Sequence, residues 1–102
     1  MVRQLLRLSE AGIEIVPSDM GRYFVLARQG FVCLVEKNNS APPGFGAIGS
    51  VCKLTSAGLA VAVWDGEQAH FASKRERHPA LPEEIALVRS FAHDIETALA
   101  DE

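Results

Sequence analysis

Leu59–Trp64 (LAVAVW), Asp65-Gly66 and Glu67–Ala72 (EQAHFA) decide the architecture. Two runs of strand-forming residues flank an Asp-Gly pair, a strong hairpin signal because a type I′ turn needs positive φ at both central residues. A two-residue turn at Asp65-Gly66 pairs Trp64 with Glu67 and sets Val61 opposite His70. Upstream, Ser50–Leu54 reads as a strand and Thr55–Gly58 as its turn, so Leu54 faces Leu59 and Cys52 faces Val61.

This register sorts the side chains onto two faces. Cys52, Leu54, Leu59, Val61 and Val63 share one, while Ala60, Ala62, Trp64, Ala69 and Phe71 share the other. Both are apolar, so both call for cover. One helix can cover only one face. The N-terminal helix, a second subunit or a ligand must cover the other.

Working toward the N-terminus, Lys37–Gly49 (KNNSAPPGFGAIG) reads as a long break, since its glycines and prolines exclude a helix. Before it, Arg22–Arg28 and Phe31–Glu36 are strands joined at Gln29-Gly30, and Ile13–Val16 is a short strand. Val2–Ala11 reads as a short helix with Val2, Leu5, Leu6 and Ser9 on one face and Leu8 beside it.

Toward the C-terminus, Ser73–Ala80 (SKRERHPA) reads as a charged connector. Pro82 suits the first position of a helix, and Glu83 and Glu84 suit its first turn, where the helix dipole favours acids. Ile85, Val88, Phe91, Ala92, Ile95 and Leu99 form its apolar stripe. The expected fold is one α+β domain over residues 1–102. It is a mostly antiparallel meander of five to six strands, with a short N-terminal helix and a long amphipathic C-terminal helix packed on it.

Composition bounds the function. Apolar residues make up 48% of the 102 residues, and the net charge is −3. So apolar a small domain has little interior to hide such residues in, which points to self-association, most simply a symmetric dimer. Nine of the ten basic residues and seven of the thirteen acidic ones lie in residues 1–80, so the C-terminal helix is acidic. An acidic chain argues against nucleic acid as the main partner. No run reaches the ~18 apolar residues of a membrane span, so no membrane partner is expected. No secretory leader is read in Met1–Leu8, which carries Arg3 and Arg7, so a cytoplasmic protein with reduced Cys33 and Cys52 is expected.

Motifs that would carry chemistry lack their context. Gly44-Phe45-Gly46-Ala47-Ile48-Gly49 spells G-x-G-x-x-G, but dinucleotide binding needs a strand before it and a helix after it. Here Ser50–Leu54 after the motif reads as strand, and prolines precede it. Two readings remain: backbone amides open to an anion, or a glycine-rich entry into the next strand.

Cys52 and His70 suggest a thiolate–imidazole pair, yet the register puts Val61 between them, about 9.6 Å apart across two strands. Catalysis needs roughly 3 Å. His93 and Glu96 share a helix face without a third ligand, so no metal site and no cofactor are expected.

The function expected is a non-catalytic, self-associating binding module whose ligand or partner contacts are Phe45, Trp64, Phe71, His70 and Cys52. One alternative is a small-ligand sensor or small enzyme with its site between the 37–49 loop and the sheet. The other is a weak nucleic-acid contact through Lys74, Arg75 and Arg77, a basic cluster beside Phe71.

Overall fold

Gln29 and Gly30 both adopt positive φ, 52° and 84°, in the computed structural model, which describes residues 2–17, 19, 21–38, 44–56, 58–74 and 76–100. That turn joins β2 (Tyr23–Arg28) to β3 (Phe31–Asn38), with Arg28 paired to Phe31. It is the two-residue hairpin whose twist matches that of the strands it connects. Antiparallel pairing of sequence neighbours continues along the chain. β1 (Glu14–Val16), β4 (Gly44–Thr55), β5 (Gly58–Asp65), β6 (Gln68–Ala72) and β7 (Arg77–Pro79) complete a seven-stranded antiparallel sheet in which each strand lies beside its neighbour in sequence. α1 (Val2–Glu10) and α2 (Pro82–Leu99) complete the α+β architecture.

The sheet has one strand more than the upper expectation. Arg77–Pro79, read as connector, pairs with β6 through Phe71–His78 and Ala72–Arg77. Its three residues are too few to show alternation, and charge with a terminal proline is typical of an edge strand.

The expected break at 37–49 is also corrected. Lys37 and Asn38 continue β3 and Gly44–Gly49 open β4, while 39–43 lie outside the described residues. β4 stays paired by bulging twice, since its register to β3 slips between Cys33 and Val35 and again between Val35 and Lys37. A glycine sits at each slip. A Cβ on Gly49 would lie 2.8 Å from the Leu34 carbonyl oxygen, and one on Gly46 would lie 3.2 Å from that of Glu36. The glycines therefore let two backbones meet at bulges.

The β5–β6 register is corrected by two residues. Asp65 pairs with Gln68 and Trp64 with Ala69, so the turn is Gly66-Glu67. Gly66 has φ +64°, and among described non-glycine residues only Gln29 has positive φ. A turn with glycine first and an ordinary residue second replaces the type I′ turn expected at Asp65-Gly66. Because the slip is even, every side chain keeps its expected face. The Leu54–Leu59 and Cys52–Val61 pairings stand as expected.

Both helices lie on one face of the sheet. α2 buries Val88, Phe91, Ile95 and Ala98 against Leu26, Phe31, Cys33, Val35, Val51, Ala60, Ala62 and Phe71. Ile85, Ala92 and Leu99 of the expected stripe are half-buried. Glu84 anchors the helix start twice, accepting the Leu81 N–H at 3.0 Å and pairing with Lys53 of β4. The Lys53 ammonium, hydrogen-bonded to it, holds the Glu84 carboxyl below its usual range.

α1 turns its expected apolar face outward. Val2 and Leu6 are exposed, and the docked side is Leu8, with Gln4 and Arg7 beside it. Gln4 donates to the Leu99 carbonyl at 3.0 Å, and Arg7 donates to the carbonyls of Ala98 and Ala100 at 3.2 and 3.3 Å. These are orphan carbonyls at the negative end of α2, and a cation there is favoured. That polar demand decides which side of α1 docks.

Candidate functional site

The expected contact residues divide between the faces. Phe45, Trp64 and Phe71 lie on the helix-covered face. Phe71 is buried beside Phe31, ring centroids 6.0 Å apart. Phe45 packs on Phe24 at 4.8 Å. Trp64 is partly exposed at the edge of α2 under the Arg89 guanidinium, 5.2 Å from its ring centroid. Cys52 and His70 lie on the opposite face.

Cys52 and His70 do not share a row. Cys52 aligns with Val61 and then Ala72, so His70 sits two strands across and two residues along. That is about 9.6 Å by about 6.8 Å, farther than the sequence register gave. The two cysteines cannot join each other either, because Cys33 pairs with Val51 while Val32 pairs with Cys52, placing the thiols on opposite faces.

Burial sets the thiol chemistry. It pushes the Cys33 thiol up to about 11, and the nearby Cys52 adds to the effect. Burial raises Cys52 as well. Cys33 donates to the Gly49 carbonyl at 3.4 Å. At neutral pH its thiolate fraction is about a hundredfold below that of free cysteine, so it is a poor nucleophile.

Thiol titration should therefore find both cysteines only in denatured protein, with Cys33 unreactive in native protein at pH 8. Native Cys33 keeps its proton at pH values where the unfolded thiol has lost it. Stability should thus be complete below about pH 8.5 and decline as pH rises toward 11. Rapid native labelling at pH 8 of a Cys52→Ser variant would overturn this.

Two surfaces could hold something. The first is an open cleft of about 390 Å³ between the bulged part of β4 and α2. Gly49, Ser50, Ala62 and Ala92 leave the space by being small, and Trp64, Arg89, His93 and Glu96 form its rim. It touches Ile48 and Gly49, the end of the stretch expected to be a loop, but Phe45, Cys52 and His70 do not line it. Sequence reasoning missed α2's part in it, because only the tertiary fold brings Arg89 and His93 to β4.

The second surface is the sheet face away from the helices. Leu54 is 59% exposed and Val61 40%, and Val16, Leu59 and Val63 are exposed with them. Val32 and Cys52 lie at its centre and are buried.

The basic cluster falls at the β6–β7 connection. Lys74 follows β6, Arg77 is on β7, and Arg75 lies outside the described residues. Glu76 faces His78 at 2.9 Å between them. Among the described residues no group of three or more His, Cys, Asp or Glu could hold a metal ion, and no helix is long and apolar enough to cross a membrane.

No protein-family model matches the chain, and comparison with curated proteins and with solved structures finds no match, so any reading of these surfaces rests on their geometry.

Proposed function

We propose that the chain is a small, non-catalytic, self-associating interaction module whose contact surface is the open face of the sheet. One observation carries this reading: both helices pack on the same face, leaving Leu54, Leu59, Val61 and Val63 exposed together on the other. Contiguous apolar surface of this kind marks interaction sites. Cys52 and His70, expected as contacts, lie on that face. Thiols that cannot pair within the chain suit a reducing cytoplasm, the compartment this reading assigns.

Light scattering on the eluting protein tests it. The expected mass is twice 11.0 kDa, falling to 11.0 kDa in Val61→Glu with unchanged circular dichroism. A charge at the centre of a buried apolar interface costs several kcal/mol, roughly a thousandfold in affinity. A clean monomer at high concentration refutes the reading.

The cleft beside Trp64 favours a second reading, a small-ligand sensor, because it joins an aromatic wall to Arg89 and His93. Native mass spectrometry should then find a bound small molecule that Trp64→Ala loses. Protein mass alone, in the wild type, counts against it.

A further inference from the structure

The open face carries one row of side chains that spans all seven strands. Following the pairings gives Glu14, Ala27, Val32, Cys52, Val61, Ala72 and Arg77. Cys52, on the middle strand β4, is its centre. Valines flank it, alanines follow, and the ends are oppositely charged. Read from either end, the row is a palindrome in size and hydropathy and complementary in charge. No hydrogen bond or ion pair ties the Glu14 or Arg77 side chain among the described residues.

We infer that a second copy of this chain packs face to face on the sheet, about a two-fold axis that runs along β4 through Cys52. The inference rests on the self-association proposed above and adds its symmetry. Rotation about that axis exchanges the two halves of the row. Val32 then meets Val61 of the other copy, Ala27 meets Ala72, and Glu14 meets Arg77 at both rims. A parallel row behaves alike: Val16, Val25 and Leu34 run from one edge and Val63, His70 and Pro79 run to the other. Val25 then meets His70, and Leu34 meets Val63.

A two-fold axis along the row itself is disfavoured. It would set Glu14 on Glu14 and Arg77 on Arg77, like charge on like. Stacked sheets lie about 10 Å apart, a gap that facing long side chains such as glutamate and arginine can bridge.

Charge exchange at the rims tests the axis. Dimer dissociation is measured by sedimentation for the wild type, Glu14→Arg, Arg77→Glu and the double variant. Each single change turns two attractive rim pairs repulsive and should weaken the dimer by about tenfold at low salt, less at high salt. The double variant restores opposite charges and should return to within about twofold of wild type.

Singles without effect, or a double variant no better than the singles, overturn the axis. If Val61→Glu still yields monomers in that case, self-association through this face survives the loss. A wild-type chain that is monomeric at every concentration overturns both.

Discussion

Replacing Arg28 by alanine should lower the unfolding free energy by about 3 kcal/mol, seen as a lower urea midpoint at unchanged slope. Arg28 is the last residue of β2, and its guanidinium joins three parts of the chain. It donates to Asp94 of α2 at 2.7 Å and to the carbonyl of Ala11, just beyond α1, at 2.9 Å. It also reaches the Ser90 hydroxyl at 3.4 Å and lies over the Phe91 ring, 5.3 Å from its centroid.

Hydrogen bonds to charged groups contribute about 1.5–3 kcal/mol each. The Asp94 side chain is 35% exposed, so water offsets part of its loss, and the total stays near that of one strong bond plus the packing. Arg28→Lys keeps the charge but not the fork and should recover less than half. A cost under about 1 kcal/mol would mean that the cluster is an ordinary solvated ion pair.

The three glycines of G-x-G-x-x-G should respond to alanine in graded order. Gly49→Ala should cost about 2 kcal/mol, because its Cβ meets a backbone oxygen that sheet pairing holds in place. Gly46→Ala should cost about 1 kcal/mol, since its Cβ is tight yet can be accommodated. A Cβ on Gly44 meets nothing within 4 Å and its φ is ordinary, so Gly44→Ala should be near neutral. Thermal or denaturant unfolding of the three variants gives the order directly. Equal effects at all three would dismiss the bulges as the reason for the glycines.

Those glycines also show where sequence reasoning stops. The β2–β3 and β4–β5 hairpins were legible because their turn residues are local punctuation. The start of α2 was legible for the same reason, from Pro82, Glu83 and Glu84. β4 was not, because each bulge resets the two-residue period and the glycines at the slips look like loop.

The β5–β6 turn was misplaced by one residue, which shifts the register by two, so the face assignment survived because alternation depends only on parity. β7 gave no signal of its own, as its pairing with β6 is what makes it a strand. The docked side of α1 was set by carbonyls on α2, some 90 residues away. Arg28 gave no hint either, since a lone arginine at a strand end says nothing about a partner 66 residues on.

Of the candidate surfaces, the sequence revealed that the sheet is apolar on both sides. Which side stays open depended on where α1 lands, which no local pattern encodes. The cross-sheet row from Glu14 to Arg77 needs every register at once, and a single misplaced turn hides it.

The strand order has a consequence for how the chain finds its structure. Each strand pairs with the one just made, so every pairing closes a short loop and little chain entropy is lost at any step. Local pairing of this kind favours a fast search. The clasp between the helices is the exception, since Gln4 meets Leu99 across 95 positions. The sheet can grow hairpin by hairpin as the chain lengthens, whereas α1 must wait for the last turn of α2 and is the element set to dock last and release first.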